Sequence, residues 1–349
     1  MKRRRVTSLD VAKRAGVSRT TVSLVLNNIR RIQISEETRQ KVLLAAEELG
    51  YVPNAAAQAL ARRRTQTIGL VLTRNPHHIA FDAFINQILE GLIHSVHHYE
   101  LRLLFDIVEP EHQLEAYLQL AHAHSIDGLI LSGPRSDDEA LRTLEQVDFP
   151  VVLMGHLPGA DFYSVDVDNR AAARMAVEHL LGLGYTRVAC ITNADLSYTA
   201  AEERLLGYRQ ALEAADLRYD SRLVRYGDFT TQSGYQQMSD LLGSASEIQA
   251  VFCASDTVAL GAKAAIRERG IDIPEGIALV GFDDLPFTRY IEPPLTTVRL
   301  PAQEIARRAS EILLKLLRGE PPPERHVILE TELVVRSSCG AVLKGRSQS

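Results

Sequence analysis

Three cysteines in 349 residues, Cys190, Cys253 and Cys339, are too few and too scattered to frame a disulfide-stapled fold. Each lies in or near an apolar, strand-like run, so buried thiols in a reducing compartment are expected. No stretch of about 18 consecutive apolar residues occurs, which argues against a membrane-spanning helix. The basic start KRRR leads into a polar helical stretch without the apolar core of a secretory signal, so a cytoplasmic protein is expected. No G-x-S-x-G elbow, dinucleotide-binding glycine fingerprint or P-loop is present. The hydrolase, dehydrogenase and nucleotide-hydrolysing classes therefore lack sequence support, and neither an enzyme nor a cofactor is expected. Leucine heptads are missing from the end of the chain, AVLKGRSQS. His94, His97 and His98 are spaced to put two imidazoles on one helical side. No neighbouring cysteine or second cluster completes a metal site, so a solvated face is the expectation there.

What the chain does have is uneven charge. Its 46% hydrophobic and 24% charged residues mark it as globular, and its length suits two or three domains. The net charge of -5 conceals a contrast: residues 1–65 carry 14 Lys+Arg against 5 Asp+Glu, leaving 25 against 39 for the remainder. A basic head on an acidic body is the electrostatic footprint of a nucleic-acid module joined to something else.

Within that head, Val6 to Asn28 reads as two short helices around a tight turn. Thr7 and Asp10 have capping-box spacing, and Leu9, Ala12 and Ala15 fall on one face. Gly16 supplies a turn where positive φ costs no Cβ clash. Ser18 can cap the second helix, with Val22, Val25 and Leu26 inward and Arg19, Thr20 and Ser23 outward. This is a helix-turn-helix pattern with its second helix in the reading position, the bland alternative being an ordinary helical hairpin. Ser35 can cap a third helix striped by Val42, Ala45, Ala46 and Leu49 and ended by Gly50. Pro53 then stops the chain, and Asn54 can cap a short alanine-rich helix ending near Arg62. At about eight residues such a helix needs a partner surface to form. Leu60 is its only large apolar side chain.

From Thr67 the pattern alternates. Apolar runs at Ile68–Leu72, Leu101–Ile107, Gly128–Leu131 and Val151–Met154 form one series; Val188–Thr192, Ala250–Ala254 and Ile277–Gly281 form a second. Helical stretches separate them: Phe84–His98, Glu111–Ala123, Ala171–Leu183, Ala201–Ala214 and Val258–Arg269. Continuous apolar strands alternating with amphipathic helices imply parallel sheets covered on both faces, here in two α/β lobes. Ligands of such sheets bind beyond the carboxyl ends of strands. That rule selects Arg74 and Asn75 after the first strand, then His156, Ser255 with Asp256, and Asp283 with Asp284. Asp256 and Asp284 serve equally well as helix caps.

The residues VTSLDVAKRAGVSRTTVSLVLNN, followed by SEETRQKVLLAAEELGYVPNAAAQALA, resemble the head and hinge of the lactose/galactose-repressor family of bacterial transcription regulators, and the resemblance extends to about residue 340. It implies an all-α helix-turn-helix head plus an α/β body like the periplasmic sugar-binding proteins, made of two doubly wound parallel-sheet lobes. The implied boundaries are a head at 1–53, a hinge helix and linker at 54–65, a core at 66–340 and a tail at 341–349. Lobe 1 would take about 66–165 and 293–322, and lobe 2 about 166–292 and 323–340. Crossings fall near Ser164–Asp166, Glu292–Pro294 and Pro321–Glu324, and Ala302–Arg318 would return to lobe 1.

For DNA, the resemblance implies contacts from Thr7, Ser18, Arg19, Thr20, Thr21, Ser23 and Asn27 in the head and from Asn54, Ala57 and Leu60 in the hinge. Arg19 and Thr20 fall on the specificity positions, Leu24 offers no base hydrogen bond, and Leu60 is the wedge that opens the central base step. For a small-molecule effector it implies Asn75, Phe84, His156, Tyr198, Arg204, Phe229, Ser255 and Asp283, with Phe81 and Phe84 either walling the cleft or packing the core. Guanidinium, carboxylate, amide and one aromatic ring suit a polyhydroxylated molecule, so a mono- or disaccharide is expected. Purine-binding members carry a basic side chain where this chain has Tyr198. The implied protein is a homodimeric regulator, expected to be a repressor, on a near-palindromic operator. The alternatives are a sugar-binding protein without DNA function, or a regulator answering to a purine or sugar phosphate.

Overall fold

Small side chains at close spacing make the first of two bodies. The computed structural model describes residues 6–27, 33–52, 64–74, 83–109, 112–122, 125–244 and 247–341. They divide into Met1–Thr67 with Leu120–Asp127, and Ile68–Gln119 with Gly128–Ser349. In the first unit, α1 (Ser8–Ala15), α2 (Arg19–Leu26) and α3 (Glu36–Glu48) bury Val11, Ala12, Val22, Val25, Val42, Ala45 and Ala46 against one another. The local signals act as read. The Asp10 carboxylate accepts from the Thr7 N–H at 2.9 Å and hydroxyl at 2.7 Å, and Gly16 sits at φ +68°. Ser18 and Ser35 accept from the N–H groups of Thr21 and Thr38 at 3.0 and 3.2 Å. One expectation fails: Leu9 is 49% exposed, and Val11 takes its place in the core. With helices of eight residues the buried stripe is one turn wide, and Val11 with Ala12 already fills it. Between Thr65 and β1 (Thr67–Thr73), the Asp127 carboxylate accepts from the N–H groups of Thr65 at 2.6 Å and Gln66 at 2.8 Å.

The second unit holds two six-stranded sheets. The first runs β11–β5–β4–β3–β1–β2, where β2 is Arg102–Val108, β3 Gly128–Ser132, β4 Val151–Met154, β5 Tyr163–Val167 and β11 His326–Leu329. The second runs β12–β10–β9–β8–β6–β7, where β6 is Val188–Thr192, β7 Val224–Tyr226, β8 Ala250–Cys253, β9 Ala278–Asp283, β10 Thr296–Arg299 and β12 Glu332–Val334. Pairing from β1 through β3, β4 and β5 to β11 is parallel, as is that from β7 through β6, β8 and β9 to β10, whereas β12 joins β10 antiparallel. Strands β3, β6, β8 and β9 are buried along their whole length, as continuous apolar runs require when helices cover both faces.

The covering helices are α4 (Ala83–His98), α5 (Gln113–His122), α6 (Glu139–Leu144), α7 (Asn169–Gly182), α8 (Thr199–Ala214), α9 (Thr231–Ser244), α10 (Asp256–Glu268) and α11 (Ala302–Arg318). Helix α11 returns to the first sheet, packing on α4, β3, β4 and β5. Gly91 of α4 is what lets it approach, since a Cβ there would stand 2.6 Å from the Gln303 carbonyl oxygen.

Strand pairing moves the crossings downstream of their expected places. The chain leaves the first sheet after Val167, comes back after Arg299, and leaves again after Leu329 to form β12. Pro293, Pro294 and Pro321–Pro323 punctuate turns that precede β10 and β11, whereas each crossing occurs where a strand of one sheet runs out. Helices α6 and α9 and strands β5, β7, β10, β11 and β12 had no expectation. They are short, edge-placed or polar-rich. Among the described residues no helix is long and apolar enough to cross a membrane, and no group of three or more His, Cys, Asp or Glu could hold a metal ion. His94, His97 and His98 are all exposed on α4.

Candidate functional site

The reading helix presents a mixed surface. Thr7, Ser18, Arg19 and Thr20 are exposed, and Thr21 and Ser23 half-buried. Arg19 is tied back to the start of α1, its Nε donating to Ser8 Oγ at 3.0 Å. Asn27 faces inward: it caps the end of α2, is 9% exposed, and donates through Nδ2 to Ser23 Oγ at 3.2 Å. Asn54, Ala57 and Leu60 of the hinge, together with Asn75 and Phe81, lie outside the described residues.

In the second unit a cavity with about 770 Å3 of empty space, open solvent included, lies beyond the carboxyl ends of the strands. Of the expected residues, it brings together Arg74, Phe84, Tyr198, Arg204, Phe229, Ser255 and Asp283. His156 is not among its lining. Its ring stands edge-on to His326 at 5.0 Å, where burial and then the second imidazole lower its pKa, and Ser164 Oγ shares a 2.9 Å hydrogen bond with His326 Nδ1. Gly155, just after β4, takes the place at the wall.

Arg204 is the best-held group. It is 6% exposed, donates from Nε to Asn169 Oδ1 at 2.9 Å and from Nη1 to the Ala254 carbonyl at 2.6 Å, and lies 3.8 Å from Asp283 Oδ1. Its guanidinium lies 3.7 Å from the centre of the Phe282 ring. Burial pulls its pKa down, and Asp283 and Asp166 push it back. Asp283 has φ +118° and Phe229 φ +68°, conformations that non-glycine residues adopt at a cost and that concentrate where a side chain must be aimed.

Two aromatic residues close the mouth. Tyr198 meets Phe229 edge-to-face at 4.9 Å, and the Arg74 guanidinium from the end of β1 lies 3.8 Å from the Phe229 ring centre. The Tyr198 hydroxyl donates to the Thr73 carbonyl at 2.8 Å. Beside it the Ser136 N–H donates to the Ser197 carbonyl at 2.7 Å. The lobes thus touch through backbone as well as side chains.

Asp256 and Asp284 stand outside this cavity's lining. Asp256 accepts from the Thr297 hydroxyl at 2.7 Å and the Leu285 N–H at 2.8 Å, and burial pushes its pKa well up. Asp284 accepts from Arg299 at 2.8 Å and Arg336 at 2.6 Å; burial alone would raise its pKa, but the two guanidinium groups hold it below the usual range. Sequence reasoning passed over Ser132, Asp166, Asn169 and Asn193, all of which line the cavity. Ser132 ends β3 and Asn193 directly follows β6, so the carboxyl-end rule, applied to every strand, finds both.

A helical DNA-reading head joined to a two-lobed ligand-binding body defines a class of regulator, and comparison with known proteins agrees. Residues 7–54 match the model for bacterial regulatory proteins of the lacI family, and residues 177–339 match the periplasmic binding protein-like domain. The chain is 38% identical to the HTH-type transcriptional regulator CelR of Thermobifida fusca, covering 97% of this chain and 100% of that one. It is 33% identical to the HTH-type transcriptional repressor CytR of Escherichia coli (strain K12), over 96% and 97%. Among solved structures, it aligns with a CelR–cellobiose complex at TM-score 0.74 and 35% identity, over 96% of this chain and 100% of that one. It aligns with the lac repressor dimer bound to operator and the anti-inducer ONPF at TM-score 0.84 and 30% identity, over 96% and 99%. The chain belongs to the lacI family and is a DNA-binding transcriptional regulator with a ligand-binding body. These relatives are regulators, not enzymes.

Proposed function

We propose that this regulator is a cytoplasmic homodimeric repressor whose hold on a near-palindromic operator is set by a mono- or disaccharide bound between the lobes. The observation that carries the ligand class is the buried Arg204–Asp283 pair facing a cavity walled by Phe229 and Tyr198. A guanidinium and a carboxylate side by side satisfy vicinal hydroxyls in a fixed pattern, and an aromatic face covers the apolar side of a sugar ring. The relative solved with cellobiose supports a sugar. Tyr198, neutral and engaged with Thr73, offers a purine no basic partner.

In this reading the DNA surface is α2, with Arg19 and Thr20 on base edges, Thr7, Ser18, Thr21 and Ser23 on the backbone, and Asn54, Ala57 and Leu60 in the minor groove, while the inward-facing Asn27 closes the end of α2. Sugar and operator are linked: a ligand that favours the DNA-free arrangement weakens DNA binding by the factor by which DNA weakens its own. The test uses the full chain and DNA from upstream of its own gene. Binding falls steeply with salt, as phosphate contacts require, and changes when the sugar that raises the melting temperature is added. Salt-independent binding, or a thermal shift given only by purines, overturns the proposal.

A further inference from the structure

Asp166 is the penultimate residue of β5, where the chain leaves the first sheet, and it lines the cavity. Its Oδ1 accepts from the Val167 N–H at 2.8 Å and from Asn169 Nδ2 at 3.1 Å. Asn169 in turn accepts from Arg204, and Arg204 pairs with Asp283, so four polar groups are joined along one wall. The Oδ2 of Asp166 takes no hydrogen bond among the described residues. Asn193 also lines the cavity. It is 5% exposed, and its buried Oδ1 has no hydrogen-bond partner among the described residues. An acceptor hidden from water and left unmatched costs stability unless something in the cavity donates to it.

The charges of the lining point the same way. Arg74 and Arg204 are matched by Asp166 and Asp283, so the described lining has no surplus cation for a phosphate. We propose that Asp166 is a ligand-binding, specificity-determining residue that accepts a hydrogen bond from a hydroxyl of a neutral sugar, with Asn193 as the second acceptor. This rests on the sugar reading above and adds to it which groups read the hydroxyls.

The titration of Asp166 gives a readout that a merely structural carboxylate lacks. Burial raises its pKa to about 6, with Arg204 opposing and Glu203 adding to the rise. The other charged groups nearby are Asp283 against Arg204, Arg170 paired with Glu203 at 2.8 Å, and the half-buried His156 packed on His326. A hydroxyl donating to Asp166 favours the ionised form, so affinity is full above the free-state value and falls as pH drops below it.

The experiment is calorimetric titration of the full chain with cellobiose, glucose, galactose and glucose 6-phosphate from pH 5 to pH 8. The expected result is one neutral sugar bound about tenfold more weakly at pH 5 than at pH 8. Asp166→Asn should flatten that profile and weaken binding at pH 8 by about tenfold or more, with Asn193→Ala weakening it at every pH. Glucose 6-phosphate should bind about tenfold more weakly than glucose, or not at all. The wild-type profile is decisive even if a variant fails to fold, as thermal melts would report. A sugar bound equally across the pH range, or a slope that persists in Asp166→Asn and so belongs to the histidine pair, overturns the role of Asp166 while leaving the sugar reading intact. Preference for the phosphorylated sugar overturns the claim of neutrality. If none of the three neutral sugars binds, the sugar reading itself falls and takes this inference with it.

Discussion

Asp283 and Asp284 are adjacent, both buried at the end of β9, and belong to different parts of the protein. Asp283 faces the cavity and lies 3.8 Å from the Arg204 guanidinium. Asp284 faces away and is gripped by Arg299 and Arg336 at 2.8 and 2.6 Å, within a group that includes Asp256, Thr288 and Thr297. The second is held through both oxygens inside the protein, whereas the first lines the space a ligand would enter. Positive φ at both residues, +118° and +53°, turns two neighbouring side chains to these opposite duties.

The largest break in that contrast is Asp284→Ala. It strips the buried end of Arg336 of its carboxylate and should cost about 3–5 kcal/mol in denaturant melts, with sugar binding by the folded protein unchanged. Next comes Asp283→Asn, which should weaken sugar binding by about 10–100-fold in calorimetry and, because it removes the counter-charge of the buried Arg204, also lower stability in melts, by less than Asp284→Ala. Loss of the fold in this variant would erase the distinction. Gly281→Ala should cost about 1–3 kcal/mol, because its Cβ would stand 2.1 Å from Asp256 Oδ1 inside the group around Asp284.

The two carboxylates of that group also oppose each other in pH. Burial tends to raise Asp284, but Arg336 and Arg299 lower it, so its contribution is present at neutral pH and is lost as pH falls through its depressed value. Asp256, raised by burial and then by Asp283, contributes fully in acid and loses that contribution as pH rises. Melting temperatures taken from pH 7 downward should therefore show a shallower acid decline in Asp284→Asn than in the wild type. The smallest effect is expected at Leu9→Ala, within about 0.5 kcal/mol, because an exposed residue in a helix first turn contributes little packing.

The head was almost wholly legible, because caps, turn glycine and stripe are local signals that agree with one another; only Leu9 and Val11 exchanged places, in a helix too short for periodicity to choose between them. In the body, most of the buried strands were legible from their apolar runs, while β10, β11 and β12 were not, since runs of three or four residues are too short to show a period. The same limit displaced the crossings, which depend on which strand pairs with which. The carboxyl-end rule found Ser255 and Asp283, and the resemblance added Phe84, Tyr198, Arg204 and Phe229. His156 satisfied the rule and still turned toward His326, because the chain bends at Gly155 (φ +115°) before reaching it. Asp166 and Asn169 escaped notice because Tyr163–Val167 was read as a crossing and not as a strand, so the carboxyl-end rule was never applied to it.

The bond from Tyr198 across the cleft ends on a main-chain carbonyl, that of Thr73, and this makes the contact lopsided as a target for selection. No codon change at position 73 deletes its acceptor, and the Thr73 hydroxyl is already shared with Tyr117, which donates onward to Asp138. All heritable adjustment of that one bond is concentrated in the codon for Tyr198. A library screened for loss of that one bond should return Phe or smaller residues at 198 and leave 73 silent, so that this single contact evolves along a single coordinate.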